Sequence, residues 1–304
     1  MNDSNAIQPE FDYRTGRPTF ICHGTPGRSH WEACAKLNRL RTSRIKEALR
    51  DYPPGEQISR DGWLASLKRR AGYLEVPLIS LDGLGFVEDD AECMSSRLLG
   101  NIGIGREASA WVDRESNSVY KLFDVKMDAE ERYSIGLKLE MTGNTEQPDV
   151  SQLPADLDHI LEKLCVLHEA GACPTEIAGL SEDGKYLIAK QPRCKAFEDL
   201  DADRKEATRQ MKAVSPKGSY GGNEIWVFYA GNRYWLLSDL HKGNIRRLSD
   251  GMPTVIDALI GELPDLYLRF HSKLGDAARQ AREWVQNGIE PHDDPFHNVC
   301  DDDL

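Results

Sequence analysis

The chain has 304 residues, of which 40% are hydrophobic, and a formal net charge of -12 at pH 7. This length allows one large domain or two smaller ones with a substantial buried core. The negative charge argues against a nonspecific nucleic-acid partner or an anionic membrane surface, because both would repel the protein. It leaves room for a nucleotide that is bound through a metal ion.

The N-terminal sequence "MNDSNAIQPEFDYRTGRP" lacks the apolar core of a signal peptide. No segment approaches the ~20 apolar residues of a membrane span. We therefore expect a cytoplasmic protein with no membrane partner. The seven cysteines show no CxxC spacing, which predicts reduced thiols rather than a disulfide framework or a cysteine-rich zinc site. His292 and His297 could suggest a metal site, but the acidic segment 291–304 around them favours a solvated tail.

The first 95 residues are predicted to form a partly helical N-terminal extension. Residues 1 to about 28 mix Pro, Gly, Asn and Arg without periodicity, as in a loosely held arm. Ser29 is a candidate cap for a helix that the Pro-Pro pair at 53–54 would end, and a second helical segment begins at Ser59. "VPLISL" and "GLGFVED" predict two short strands. The basic run "KLNRLRTSRIKEALR" suggests either a patch for an acidic partner or a solvated helix face that packs on the rest of the protein.

The middle of the chain alternates hairpins and a helix. "SAWVD" and "SVYKLF", joined by "RESN", predict a hairpin behind a glycine-rich segment. A helix is predicted from about Pro154 to Ala170, with Gly171 as its stop. Its apolar face comprises Leu157, Ile160, Leu161, Leu164 and Leu167. "TEIAGLSEDGKYLIAKQP" predicts a second hairpin that ends at Pro192.

The last part of the chain adds three predicted strands and a helix. "EIWVFYAGNRYWLLSD" predicts two aromatic strands that turn at "AGN". "TVIDALI" predicts one short strand, and "YLRFHSKLGDAARQAREWVQNG" predicts a closing amphipathic helix.

A glycine pair and a strand lysine are candidate phosphate ligands. Gly103 and Gly105 would let the backbone approach a phosphate, although glycines also occur at ordinary strand turns. Lys121, inside the apolar run "VYKLF", is either an edge residue whose ammonium reaches water or a ligand of the α and β phosphates. Glu162, on the following helix, is the candidate anionic partner of Lys121. Three other glutamates stay open as alternatives: Glu130, Glu131 and Glu140.

The stretch "LLSDLHKGNI" places an acid and an amide five positions apart, directly after an apolar strand. Phosphoryl transfer requires a carboxylate that orients the attacking hydroxyl, and oxygen ligands for Mg²⁺. Asp239 could be that carboxylate, and Asn244 could bind the metal through its amide oxygen. Asp257 is a candidate second ligand, because an Asp inside an apolar run needs a turn or a cation to explain it.

The order of these features resembles the protein kinase-like fold. "SDLHKGNI" is similar to the catalytic loop of aminoglycoside and choline phosphotransferases, and the longer string resembles the compact polyvalent protein kinase-like domains of phages and mobile elements. In this comparison "LEKLCVLHEAG" matches the lobe helix, "IAKQP" the hinge, and "SDLHKGNIRRLSDGMPTVIDALI" the catalytic and metal loops. The similarity runs from about residue 97 to 265.

The resemblance implies an α+β, two-lobed fold that binds ATP and Mg²⁺. The implied ranges are an extension (1–95), an N-lobe (96–192), a reduced C-lobe (193–290) and an acidic tail (291–304). Lys121 and Glu162 would form an ion pair, and Asp239 would be the catalytic base. Asn244 and Asp257 would hold magnesium. Four residues would line the adenine edge: Gln191, Pro192, Arg193 and Cys194.

The chain departs from the family pattern at three points. Ala108 stands at the third glycine of the loop, and Ala-Leu rather than Phe-Gly follows Asp257. Only 47 residues follow Asp257, too few for the peptide-binding subdomain of eukaryotic protein kinases. The acceptor is therefore left open between a protein Ser/Thr and a small-molecule hydroxyl. A noncatalytic nucleotide-binding scaffold and an AMP transferase are the alternative functions.

Overall fold

The computed structural model describes residues 26–50, 76–87, 95–125, 135–218 and 220–291, together with the short pieces 10–12, 17–19, 62 and 64–66. Most of the predicted N-terminal arm, His292 and His297 of the tail, and the alternative glutamates Glu130 and Glu131 lie outside these residues. In the described part of the chain, no helix combines the length and the apolar character needed to cross a membrane.

The chain is a mixed α+β protein, as predicted. The described helices are α1 (Arg28–Arg50), α2 (Leu157–Glu169), α3 (Leu200–Gln210), α4 (Asp265–Phe270) and α5 (Ser272–Asn287). The strands up to residue 125 are β1 (Glu10–Asp12), β2 (Arg17–Thr19), β3 (Leu78–Ile79), β4 (Phe86–Val87), β5 (Ser95–Ser96), β6 (Gly100–Ile104), β7 (Ala108–Asp113) and β8 (Ser118–Asp124).

The later strands follow in chain order. They are β9 (Gly136–Gly143), β10 (Pro148–Ala155), β11 (Glu176–Ser181), β12 (Tyr186–Pro192), β13 (Lys195–Ala196), β14 (Trp226–Ala230), β15 (Arg233–Ser238), β16 (Ile245–Arg247), β17 (Pro253–Val255) and β18 (Leu259–Glu262).

The chain divides into two compact units. Unit 1 comprises residues 1–136, 155–165 and 174–193, and unit 2 comprises residues 137–154, 166–173 and 194–304. The assignment of 96–192 and 193–290 to two kinase-like lobes stays a prediction.

Unit 1 is built on a six-stranded sheet in the order β3-β11-β12-β8-β7-β6. All neighbours are antiparallel except β3 and β11. Because side chains alternate along a strand, the sheet has two distinct faces. One face carries Phe123 and Leu187 and packs on α1 and the first part of α2, whereas the other carries Trp111 and Tyr120 and packs on Phe86.

Unit 2 contains two three-stranded sheets, ordered β14-β15-β18 and β13-β16-β17, and the hairpin of β9 and β10. Trp235 and Leu237 of β15 belong to one hydrophobic cluster, while Val227 and Leu236 belong to another that includes Leu274 of α5. The central strand β15 therefore contributes to both cores, since its side chains alternate between the two faces of the sheet.

All three predicted hairpins are confirmed. β7 pairs with β8, β11 with β12, and β14 with β15, and left-handed residues occupy the three turns. These residues include Asn117 (φ 49°), Gly184 (φ 70°) and Asn232 (φ 61°). Gly171 (φ 92°) follows the end of α2, as expected for its stop.

Some predicted boundaries are wrong. The first helix begins at Arg28, where backbone hydrogen bonds to Gly27 start the helix, so Ser29 is not its cap. The helix predicted from about Pro154 begins instead at Leu157, because residues 148–155 form strand β10. The closing helix is interrupted at His271, which has extended backbone and caps α5 by accepting a hydrogen bond from the Leu274 N–H at 3.3 Å. The β9–β10 hairpin was not predicted.

Candidate functional site

The polar loop of unit 2 begins with an unusual backbone conformation. β15 ends at Ser238 and β16 begins at Ile245, so the loop comprises residues 239–244. Asp239 has a φ of 66°, in the left-handed region that Asp tolerates better than most residues with a side chain. The next residue, Leu240, is buried and fixes the loop to the core. A conformation of this kind persists only where surrounding contacts hold it, which is common at functional sites.

Asn244 ties the end of the loop to its beginning. Its Nδ2 donates to the backbone oxygen of Asp239 at 2.7 Å and lies 3.2 Å from the carboxylate Oδ2. Both of these oxygens are acceptors, so the amide presents its nitrogen to Asp239. The amide oxygen of Asn244 therefore points away from that carboxylate, as a ligand for a cation would require. The structure thus brings together the acid and the amide of the predicted pair.

His241 adds a second contact inside the loop. Its Nδ1 accepts a hydrogen bond from the backbone N–H of Gly243 at 2.8 Å, and its Nε2 lies 3.6 Å from Oδ1 of Asp239. In the neutral ring the proton therefore resides on Nε2, which faces the carboxylate. A Cβ at position 243 would collide with the imidazole ring, so any other residue there would require the His241 side chain to move.

Asp257 lies in a bend rather than in the single strand that was predicted. "TVIDALI" contributes to β17 and β18, with Ile256, Asp257 and Ala258 between them. β17 pairs with β16 and β18 pairs with β15, so the chain crosses from one sheet to the other at this bend. The prediction was wrong because an apolar run does not reveal a change of sheet.

The bend and the polar loop are adjacent. The loop crosses between the same two sheets, from β15 to β16, and the Ile256 N–H donates to the backbone oxygen of Asn244 at 2.9 Å. Asp257 is therefore one residue away from a direct backbone contact with Asn244. Three predicted site residues of unit 2, Asp239, Asn244 and Asp257, are thus carried by two touching segments.

A buried ion pair supports the strand that follows the loop. Arg247 of β16 donates from Nε and Nη2 to the two carboxylate oxygens of Asp203 at 2.8 and 2.6 Å. Asp203 belongs to α3 and is only 2% exposed. The hydrogen bonds from Arg247 lower the pKa of Asp203, against the raising effect of burial. This bidentate pair fixes β16 to α3 and was not anticipated from the sequence.

In unit 1, Lys121 lies in the interior of the sheet. Its strand β8 is flanked by β7 and β12, so the alternative of an edge-strand lysine is wrong. Directly opposite Lys121 stand Ala110 and Ala189, whose short side chains share its face. This is also the face of Phe123, which packs with α1 and α2. Lys121 itself is half-buried.

Glu162 contacts basic residues from a distant part of the chain. Its carboxylate lies 2.7 Å from Nη1 of Arg39 and 3.4 Å from Nζ of Lys46, both on α1. These contacts were not predicted, because α1 and α2 are far apart in sequence. They also give two residues of the basic run on α1 carboxylate partners within unit 1. The predicted pair of Glu162 with Lys121 stays a prediction, and the alternative Glu140 is half-exposed and contacts Lys138.

A buried ion pair connects the glycine-rich segment to α2. Nζ of Lys163 lies 2.6 Å from Oε2 of Glu107, and the two side chains are 2% and 9% exposed. Glu107 directly precedes β7 and follows Gly105, whose N–H donates to the backbone oxygen of Ala108 at 2.9 Å. Position 103 is open: a side chain there would meet nothing within 4 Å. The ion pair of Glu107 therefore fixes the end of this turn, while the backbone at Gly103 on the preceding strand β6 is not crowded by neighbours.

The residues predicted at the adenine edge have different environments. The side chain of Gln191 is buried and donates to Oγ1 of Thr175 at 2.8 Å. Pro192 ends β12, and the Arg193 N–H donates to the backbone oxygen of Asn117 at 3.0 Å. Cys194 begins the last segment of unit 2, with its Sγ 3.8 Å from that of Cys173. Four cysteines of the described residues form no disulfide, as predicted: Cys34, Cys165, Cys173 and Cys194.

No protein-family model, curated protein or solved structure matches this chain. The candidate site is accordingly defined by the chemistry and local geometry of its residues. In unit 2 these are an acid, an amide and a second acid on touching segments. In unit 1 they are a sheet lysine and a glycine-rich turn that is anchored by a buried ion pair.

Proposed function

We propose that the protein is an ATP- and Mg²⁺-dependent phosphotransferase of the protein kinase-like type. The observation that carries the proposal is the contact between Asp239 and Asn244. The amide nitrogen of Asn244 lies near both the backbone oxygen and the carboxylate of Asp239. The backbone oxygen of Asn244 also accepts a hydrogen bond from Ile256, which precedes Asp257. Phosphoryl transfer needs such a set, because one carboxylate must face the acceptor while other oxygens face the metal.

Asp239 would orient the acceptor hydroxyl and take its proton. Oδ2 already receives the amide of Asn244, and Nε2 of His241 faces Oδ1. These two contacts hold the carboxylate in one direction, as a base that must face the acceptor hydroxyl requires. The left-handed backbone at Asp239 sets the direction of its side chain before substrate binds, which reduces the reorganisation needed in the reaction.

Asn244 and Asp257 would hold the magnesium ion. One neutral and one charged oxygen donor suit Mg²⁺, which keeps several water ligands and uses one or two carboxylates. Within the described part of the chain, the amide of Asn244 uses its nitrogen toward Asp239 and leaves its oxygen for the ion. Bound Mg²⁺ would neutralise charge on the phosphates of ATP.

The residues of unit 1 would bind the nucleotide. Lys121 would contact the α and β phosphates, and the backbone at Gly103 and Gly105 would approach the phosphate chain. The segment from Gln191 to Cys194 would meet the adenine ring. The buried side chain of Gln191 is engaged with Thr175, so recognition at this position would use its backbone. The acceptor would be a protein Ser/Thr or the hydroxyl of a small molecule.

The proposal is tested with γ-labelled ATP, Mg²⁺ and the full-length protein, with its own chain, a generic protein substrate and a panel of small hydroxyl compounds as acceptors. The test variant is Asp239→Asn, because Asn also tolerates a positive φ and removes only the ionised carboxylate. Asp250→Asn is the matched control, since Asp250 is exposed and lies between β16 and β17.

We expect the wild type and the control to transfer label, and Asp239→Asn to be about 10²–10⁴-fold slower, the usual contribution of a general base. Intact mass identifies the group that is transferred. A mass gain of AMP would replace the proposal with nucleotide transfer. ATP binding without label transfer or ADP release would indicate a noncatalytic scaffold, and full activity of Asp239→Asn would remove Asp239 from the mechanism.

A further inference from the structure

Three potential metal ligands converge in unit 1, away from the residues discussed so far. His30 and Cys34 are four residues apart on α1, which puts them on one face of the helix. Glu176 is the first residue of β11, and α1 packs against this strand. Nε2 of His30 lies 3.2 Å from Oε2 of Glu176 and 3.7 Å from Sγ of Cys34. The three ligand atoms all lie within 4.8 Å of one another.

These separations are close to those of a tetrahedral zinc site. Zn²⁺ binds nitrogen, oxygen and sulfur at about 2.0–2.3 Å, so its ligand atoms stand about 3.3–3.7 Å apart. The observed distances of 3.2 and 3.7 Å from His30 fit this geometry. The third pair, Sγ of Cys34 and the carboxylate of Glu176, lies within 4.8 Å and would close by up to about 1 Å when a metal binds. A mixed set of imidazole, thiolate and carboxylate suits zinc, because this borderline-soft ion accepts all three.

The backbone on both sides of Glu176 is already fixed to α1. Nδ2 of Asn38 donates to the backbone oxygen of Thr175 at 2.7 Å, and its Oδ1 accepts from the Ile177 N–H at 2.8 Å. Asn38 is buried and lies one helical turn beyond Cys34. The strand residue that would supply the carboxylate therefore cannot move freely relative to the helix that would supply the other two ligands.

The surroundings of the three side chains also orient them. Nη1 of Arg41 lies 3.0 Å from Oε1 of Glu176, which directs Oε2 toward His30. The His30 ring packs edge-on against Trp31, with centroids 4.9 Å apart. Cys34 is 1% exposed, and the side chains of His30 and Glu176 are 14% and 15% exposed. Contacts that hold metal ligands in direction contribute strongly to metal affinity.

We propose that His30, Cys34 and Glu176 form a Zn²⁺ site that fastens helix α1 to strand β11. The thiol of Cys34 would lose its proton to solvent as the Zn–S bond forms, and a water molecule would complete the tetrahedron. Such a site escapes a search for CxxC pairs, because it uses one cysteine and takes its third ligand from a residue 142 positions away. The proposal is independent of the proposed phosphotransferase activity.

The competing explanation needs no metal. In it, Cys34 is a small buried side chain, and His30 and Arg41 simply satisfy the carboxylate of Glu176. The two explanations differ in one measurable respect, the formation of a bond between a metal ion and the sulfur of Cys34.

Cobalt reports this bond directly. The full-length protein is stripped with a chelator and titrated with Co²⁺ alone, and the thiolate-to-cobalt charge-transfer band in the near ultraviolet is followed. We expect the band to reach its maximum at one Co²⁺ ion per chain. Zn²⁺ should abolish the band by displacing Co²⁺. Cys34→Ala and His30→Gln should lower the stoichiometry by one metal ion per chain, and Cys34→Ala should remove the band.

Cys165→Ala is the matched control, because Cys165 is another buried cysteine of unit 1 and lies on α2. It should keep the band. Circular dichroism establishes that each variant is folded. The absence of a band in the wild type would overturn the proposal without reference to any variant, and so would an unchanged band in folded Cys34→Ala.

Discussion

The polar loop of residues 239–244 and the charged residues of α2 differ in where their partners come from. Asp239 meets Asn244 five residues later and His241 two residues later. Glu162 meets Arg39 and Lys46, which precede it by more than a hundred residues. Contacts inside a short loop follow from spacing and turn geometry, whereas contacts between two helices depend on how the whole of unit 1 packs.

The difference has a physical basis. A loop of six residues whose two ends are held by strands has few conformations, so its polar side chains readily reach one another. A helix presents its polar residues to whatever element packs beside it, and the sequence does not name that element. Substitutions in the polar loop should therefore act mainly on activity, whereas substitutions of the charged residues of α2 should act mainly on stability.

The largest effect on stability is expected at the ion pair of Glu107 and Lys163. Glu107→Gln leaves the buried ammonium without its charged partner, which should lower the free energy of unfolding by about 3–5 kcal/mol. Chemical denaturation followed by circular dichroism measures the change. The double variant Glu107→Leu/Lys163→Met removes both charges and should recover most of the loss. A cost below about 1 kcal/mol would mean that the pair behaves as an exposed one.

In the polar loop, Asn244→Ala should weaken magnesium-dependent ATP binding. The substitution removes the proposed ligand oxygen together with the contact to Asp239. Loss of an outer-shell contact alone weakens metal affinity by roughly 10–100-fold. We therefore expect the Mg²⁺ concentration needed for ATP binding to rise by at least this factor. Titration of Mg²⁺ at fixed ATP measures this, with the thermal stability of the metal-free protein as the control. An unchanged requirement would separate Asn244 from the metal.

Two acids of α2, Glu162 and Asp158, allow the stability contributions of a more buried and a more exposed contact to be compared. Glu162 is 13% exposed and contacts Arg39 and Lys46. Asp158 is 56% exposed, and its ion-pair partner among the described residues is Lys46. Glu162→Gln should cost about 1–3 kcal/mol of stability, since two partly buried basic side chains lose a charged acceptor. Asp158→Asn should cost at most about 0.5 kcal/mol, as exposed ion pairs do.

The same pair of variants tests the predicted role of Glu162 beside Lys121. If Glu162 fixes that lysine, Glu162→Gln should also weaken ATP binding in protein that is still folded, while Asp158→Asn should not. Stability loss with unchanged ATP affinity would limit Glu162 to holding α1 on α2.

The support beneath the polar loop should make stability depend on pH. Hydrogen bonds from Arg247 hold the pKa of Asp203 below its ordinary value of 3.8. Because the folded-state pKa is the lower one, the stabilisation is present above pH 3.8 and is lost as the pH falls through the folded-state pKa. The melting temperatures of wild type and Asp203→Asn should differ by several degrees near neutral pH and converge in acid. A difference that persists below about pH 2 would contradict this linkage.

The sequence by itself determined the elements whose signals are local. Strand alternation and turn residues predicted the hairpins of β7–β8, β11–β12 and β14–β15, and the apolar spacing of α2 identified its buried face. The spacing of Asp239 and Asn244 predicted a pair that does meet, because a loop between strands brings residues at its two ends together.

Only the tertiary structure decided the features that depend on distant partners. The bend at Asp257 exists because its two flanking strands pair in different sheets. His271 ends α4 and caps α5, which divides the predicted closing helix in two. Glu162 and Glu107 find partners on elements that packing, and not spacing, brings near. Sequence periodicity describes which face of an element is buried, but it carries no information about which element buries it.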